Sequence, residues 1–386
     1  MIHGLIGPLI LFAAVLLNTA SISAAAPAPD PDEAALPYSD FLAAKSSAPV
    51  DYIISKFRDY QVVSIGEIHE NANSLDFLQA ILKDRQFIEE VGVLVWEFGS
   101  IQDQNIVDRA LNAEQWNDKE LISAYKRHTH PWGWPFKNYI DVYHTAWKTN
   151  HSGQGKITII NADVPIDWGA IKSREDYEKA MSKRDEHMAG VIEDRIIKKG
   201  LKALFYAGEG HANKLNANKK RNTALNLLLT KYPNKIFSIT LHKEAGYDES
   251  AAQYLRVCDG LFDYAFNLNG SAKPTAFDLN DSPFGRIDGK CAQFIPAGYK
   301  LQEMYDGYVY LGPLENYRHV DFIKGFYDKA YLKKVAKRTK LAFGQELTEI
   351  CGISAVSEFP AFWENSGKTT RKFQPIDAWK TKSGPG

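Results

Sequence analysis

The stretch Gln61-Val62-Val63-Ser64-Ile65-Gly66-Glu67-Ile68-His69 decides the reading of this chain: an apolar, β-branched run ends at a glycine and then delivers a carboxylate and an imidazole. The same design recurs at Ala203-Leu204-Phe205-Tyr206-Ala207-Gly208-Glu209-Gly210-His211. Each run predicts a buried strand and each glycine a sharp exit from it. In extended backbone, residues two apart face the same side, so Glu67 with His69 and Glu209 with His211 are expected to point together. If the two strands lie side by side in one sheet, two imidazoles and two carboxylates converge. Such a group suits a divalent metal or acid/base chemistry.

Working outward, short apolar runs predict strands at 61–65, 92–97, 156–160, 202–207 and 235–241. Amphipathic stretches predict helices around 73–90, within 101–150, at 175–199 and through Leu225 and Leu229. Strands alternating with helices imply an α/β fold, a mostly parallel sheet with helices on both faces. Past residue 245 the rhythm becomes irregular: 276–285 reads as a loop, Tyr308-Val309-Tyr310-Leu311 as a strand and 320–341 as a helix. The expected layout is therefore a signal peptide at 1–26, a flexible lead-in at 27–51 and the core at 52–245. An irregular carboxy-terminal continuation or cap at 246–365 and a basic, loosely held tail at 366–386 complete it. Ligands of open α/β sheets sit beyond the carboxyl ends of the strands. Glu67 and His69, Glu97, Asp163, and Glu209 with His211 all fall at such ends.

Two further stretches carry chemistry. On a continuous helix at 175–199, Tyr177, Met181, Arg184, Met188, Val191 and Arg195 would share one face. Arg184 sits mid-stripe, where an unpaired guanidinium is costly, so it is expected to meet a site carboxylate, a substrate oxyanion or a structural partner such as Asp163 or Asp185. The turn-rich segment His128-Thr129-His130-Pro131-Trp132-Gly133-Trp134-Pro135 reads either as a lid or stacking surface or as an aromatic anchor on the core.

Composition narrows the class. Forty-six basic against forty-seven acidic residues in 386 give a formal net charge of -1, no reason to expect nucleic acid as a partner. The apolar run from Leu5 to Leu17, followed by small residues through Ala26, reads as a secretory signal, so the protein is expected to be exported, periplasmic or secreted. Membrane proximity would arise only if that signal stayed uncleaved. Cys258, Cys291 and Cys351 allow at most one intramolecular disulfide.

The motifs between Val62 and about Asn213 resemble a superfamily that joins haem-binding ChaN proteins, TIKI-type metalloproteases and erythromycin esterases. Gly66-Glu67-Ile68-His69-Glu70-Asn71 is similar to the ChaN motif Gly-Glu-x-His-Asp-Asn. Asn161-Ala162-Asp163-Val164-Pro165, Arg184-Asp185-Glu186-His187-Met188-Ala189 and Ala207-Gly208-Glu209-Gly210-His211-Ala212 follow in family order. The TIKI branch implies a metal hydrolase with His69, Glu97 and His211 as ligands of a divalent ion, Zn or Mn. Glu67 or Glu209 would then be the general base, Arg184 an assisting cation, and a small molecule or peptide the substrate. The ChaN branch implies haem, with His69, Tyr206 and His211 as cofactor-binding residues and a homodimer for a cofacial pair. The exported metal-dependent hydrolase of ester or peptide bonds is the leading expectation, ahead of haem binding for iron uptake and of a non-catalytic periplasmic binding protein.

Overall fold

A computed structural model describes residues 31–215, 222–268, 273–367 and 371–381. The signal segment expected at 1–26 lies outside the described residues. The central sheet is built from β1 (Val62–Glu67), β2 (Val93–Ser100), β3 (Thr158–Asp163), β4 (Ala203–Gly208) and β5 (Ile236–Leu241). After a small antiparallel hairpin of β6 (Gly246–Asp248) and β7 (Gln253–Leu255), the chain adds β8 (Thr275–Asp278) and β9 (Gly307–Tyr310) to it. The order is β3-β2-β4-β1-β5-β9-β8, parallel throughout except for β8, which runs antiparallel to β9.

Both faces of the strands are covered, which is why β1, β4 and β5 read as nearly continuous apolar runs rather than as alternations. On one face Val63, Ile65, Leu94, Trp96, Leu204 and Tyr206 share a core with Leu75 and Leu78 of helix Ala72–Lys83 and with Tyr139 and Tyr143 of helix Lys137–Asn150. On the other, Val62, Val95, Ala203 and Phe205 pack with Met188 and Ile192 of helix Arg184–Arg195 and with Leu225 and Leu228 of helix Ala224–Lys231. The register sets Glu67 opposite Gly208 and Trp96 opposite Tyr206, so the carboxyl ends of β1, β4 and β2 stand side by side.

Several boundaries differ from the sequence reading. The helix expected at 175–199 is two helices, Arg174–Met181 and Arg184–Arg195, with Arg184 the first residue of the second. The stripe from Tyr177 to Arg195 is thus not one surface. The helix expected at 73–90 breaks at Asp84, whose carboxylate accepts the N–H groups of Gln86 and Phe87 and starts Arg85–Glu90.

The lead-in is not flexible across its described part: helix Pro31–Lys45 buries Ala35 and Leu42 against Phe262 and Phe266 of helix Leu261–Leu268. Residues 275–278 form β8 because β9 offers a free edge. The last long helix begins at Lys329, where Asp328 caps it, and not at Val320. Residues 371–381 of the tail are docked: Tyr254 N–H donates to Lys372 C=O at 2.8 Å, and Gln374 is buried. Cys258 and Cys291 form a disulfide, and Cys351 is free and buried. No helix among the described residues is long and apolar enough to cross a membrane.

Candidate active site

β1 ends at Glu67, and the chain turns through Ile68, His69 and Glu70 before Asn71 caps helix Ala72–Lys83, accepting the N–H groups of Asn73 and Ser74. Because Glu67 is still extended, its carboxylate and the His69 ring lie on one side and meet, Nδ1 to Oε1 at 2.6 Å. Glu67 is 1% exposed. Tyr139 Oη donates to it, 3.2 and 3.3 Å from its two oxygens, and Ser74 Oγ lies 3.4 Å away. The His69 side chain is 45% exposed, held edge-on by Phe98 and Trp134, with Nε2 free of any partner among the described residues. It opens into a cleft of about 850 Å³. Gly208 has to be glycine here, because a Cβ would stand 2.5 Å from His69 Cε1 and 3.0 Å from Nε2.

Beside this pair runs a chain of charges. Glu97 of β2 is 2% exposed; its Oε2 accepts the Gly208 N–H at 2.6 Å. Its Oε1 accepts Arg184 Nη2 at 2.8 Å and lies 3.3 Å from His211 Nε2. Arg184 also donates to both oxygens of Asp163, at 2.8 and 2.9 Å, and Thr129 Oγ1 donates to Asp163 at 2.7 Å. His211 is closed from the other end by Asp185, Nδ1 to Oδ1 at 2.6 Å. Asp163, Arg184, Glu97, His211 and Asp185 thus alternate in sign along one rim.

Their titration follows from this placement. Burial works against a charged His211, but the Glu97 charge and the hydrogen bonds that His211 donates to Asp185 and Glu97 raise it to about 9. It is an imidazolium at neutral pH. Burial disfavours the Glu97 carboxylate, yet the charges of His211, Arg184 and His69 hold it well below the usual range. For His69, burial is outweighed by its hydrogen bond to Glu67 and by the charges of Glu67 and Glu97, which move it above 6.5. Glu67 itself is pushed up, first by burial. Burial lowers His128 to about 4 and His130 to about 3, so both are neutral. Their loop anchors the core through buried Trp132 and Trp134 and reaches the site at two places, Trp134 as a wall for His69 and Thr129 as a donor to Asp163.

Of the expected residues, the fold brings together His69, Glu67, Glu97, Arg184 and His211, and it separates Glu209 and Tyr206 from them. Glu209 begins the short helix Glu209–Ala212, where residues two apart diverge, and its carboxylate pairs with Lys243 in a different pocket of about 390 Å³ that His211 also lines. Glu67 is buried behind His69, not presented to substrate. Tyr206 is fully buried with its ring stacked on Trp96, so it cannot serve as an axial haem ligand.

The metal expectation also fails on chemistry. Glu97, its carboxylate ligand, already accepts from Arg184 and Gly208 and faces His211, and a guanidinium beside a divalent ion adds repulsion. Both His211 nitrogens face carboxylates. Among the described residues no group of three or more His, Cys, Asp or Glu could hold a metal ion. Sequence reasoning missed Tyr139 and Lys243, which carry no local signal, and assigned Thr129 no role within the turn-rich segment; Asp185, expected as a partner of Arg184, pairs with His211.

The fold has counterparts among solved structures. A point mutant of the erythromycin esterase EreC, in its open conformation, superimposes with a TM-score of 0.50 at 12% identity, covering 71% of this chain and 94% of that one. The chain has the erythromycin esterase fold. With the same α/β architecture, a Bacillus cereus protein matches with a TM-score of 0.48 at 13% identity, over 73% of this chain and 97% of its own. ChaN of Campylobacter jejuni, solved with cofacial haem, gives a TM-score of 0.35 at 16% identity over 50% of this chain and 86% of its own. No protein-family model and no curated protein sequence matches. On the erythromycin esterase fold, then, the site lies where β1, β2 and β4 end.

Proposed function

We propose that this protein is an exported hydrolase of ester bonds in which His69 is the general base and no metal takes part. The observation that carries the reading is the His69–Glu67 pair: a buried carboxylate fixes Nδ1–H and leaves Nε2 without a partner among the described residues, on a half-exposed ring that lines a cleft of drug-molecule size. Nε2 takes a proton from water as the water oxygen attacks the carbonyl carbon. The resulting imidazolium is stabilised by Glu67 directly and by Glu97 through space. It then returns the proton to the leaving alkoxide, so acid and alcohol are released and His69 is neutral again. The erythromycin esterase performs ester hydrolysis on this fold, but fold does not dictate function, so the argument rests on the pair. The Cys258–Cys291 disulfide supports an oxidising compartment outside the cytosol.

The test is turnover of a panel of p-nitrophenyl and small alkyl esters by purified protein, with and without EDTA. Hydrolysis that survives EDTA and disappears in His69→Ala is expected. Hydrolysis abolished by EDTA, or equal in the two proteins, overturns the reading. A stoichiometric Soret band on haemin titration, lost in His69→Ala and without esterase activity, would turn the same exposed imidazole into a haem ligand.

A further inference from the structure

Glu70, the residue after His69, has a left-handed backbone with φ of 69°. Side chains with a Cβ avoid that region and glycine enters it freely. Such strain persists only where the surroundings over-determine it. They do so here. Glu70 N–H donates to Tyr139 Oη at 3.1 Å, and its C=O accepts the Val320 N–H at 3.1 Å. Its carboxylate meets His319 Nε2 at 2.8 Å.

His319 is itself fixed: Nδ1 bonds the Val320 carbonyl at 2.8 Å, and its ring stacks on Phe322 and meets Phe136. The neighbouring Ala72 N–H donates to Arg318 C=O at 2.8 Å. The Tyr139 hydroxyl that receives the Glu70 N–H is the one that donates to Glu67. One group therefore holds both the carboxylate partner of the base and the residue that follows the base.

We infer that Glu70 and His319 form a latch that keeps the turn left-handed at Glu70 and thereby seats the His69 ring on Glu67. Both are positioning residues, acting through His69 and not on substrate. The inference rests on the hydrolase reading for its kinetic readout alone.

Three variants test it: Glu70→Ala, which loses the latch and keeps the Cβ; Glu70→Gly, which loses the latch but enters the left-handed region unaided; and His319→Gln. Each is followed by kcat and KM on an ester substrate and by ring-carbon NMR of His69, assigned with His69→Gln. Glu70→Ala and His319→Gln are expected to lower kcat by one to two orders of magnitude, about the effect of a misplaced catalytic group, with KM little changed and the His69 resonances shifted. Glu70→Gly should recover most of kcat and the native resonances. Wild-type kcat and resonances in Glu70→Ala overturn the latch. So does a Glu70→Gly as impaired as Glu70→Ala with His69 unmoved, because the carboxylate would then act directly. If the wild-type protein hydrolyses no ester, the NMR arm still decides the latch, and only the hydrolase reading falls.

Discussion

The two copies of Gly-Glu-x-His are spelled alike and built differently. In the first, Glu67 closes β1, and carboxylate and imidazole two positions apart fall on one side and bond at 2.6 Å. In the second, Gly208 closes β4 and Glu209 opens a helix, so the same spacing rotates the two side chains apart. His211 takes Asp185 from another helix, and Glu209 leaves for Lys243. The outcome is two histidines with opposite duties: His69 half-exposed with a free nitrogen, His211 closed between two carboxylates as a cation at neutral pH. A motif repeats its chemistry only when it repeats its backbone.

The contrast breaks most visibly at the histidines themselves. His69→Ala should cost about 10²- to 10⁴-fold in kcat/KM, the usual worth of a general base, while leaving the fold intact by circular dichroism. Arg184→Ala should act on stability, since Asp163 would be left buried without its guanidinium and Glu97 with the His211 imidazolium beside it but without the arginine. A loss of about 3–5 kcal/mol in urea unfolding is expected, and no change in the midpoint would refute the charge chain.

Glu67→Gln and Glu209→Gln sharpen the comparison within the motif. The first should lower kcat by at least about tenfold through loss of the tautomer lock, and the second should leave it within about twofold. Equal effects would mean that both acids serve the same centre.

Protonation gives a further separation. His211 is raised to about 9 in the fold against 6.5 in an unfolded chain. Its contribution is therefore complete below pH 6.5 and is lost as pH rises through 9, a few kcal/mol by linkage. Urea midpoints compared at about pH 6 and about pH 9.5 should converge in His211→Gln relative to wild type. Smallest of all, Gly210→Ala meets nothing within 4 Å and sits in the short helix, so a gain of up to about 1 kcal/mol with unchanged activity is expected.

Much of this was legible beforehand, for definable reasons. Strands buried on both faces announce themselves as apolar runs, and alternation with helices implied the parallel sheet. The rim position of Glu67, His69, Glu97, Asp163 and His211 followed from where those runs stop. Helix ends were less legible: the break between Met181 and Arg184 depends on how the pieces pack, and it moved Arg184 from a supposed stripe to a helix start facing Glu97 and Asp163. The metal triad failed for a similar reason. His69, Glu97 and His211 have the right atoms and do gather, but Arg184 and Gly208 had already claimed Glu97.

By itself the sequence determined the order of the five core strands β1 to β5, their apolar faces and the identity of the groups delivered to the sheet's carboxyl edge, because these depend on local periodicity. Only the tertiary structure decided which carboxylate each histidine meets, that Tyr206 is buried while His69 is open, and that Glu70 is strained beside Tyr139 and His319. Those outcomes depend on angles and distances of an ångström or two between segments far apart in the chain, and residue spacing does not carry that information.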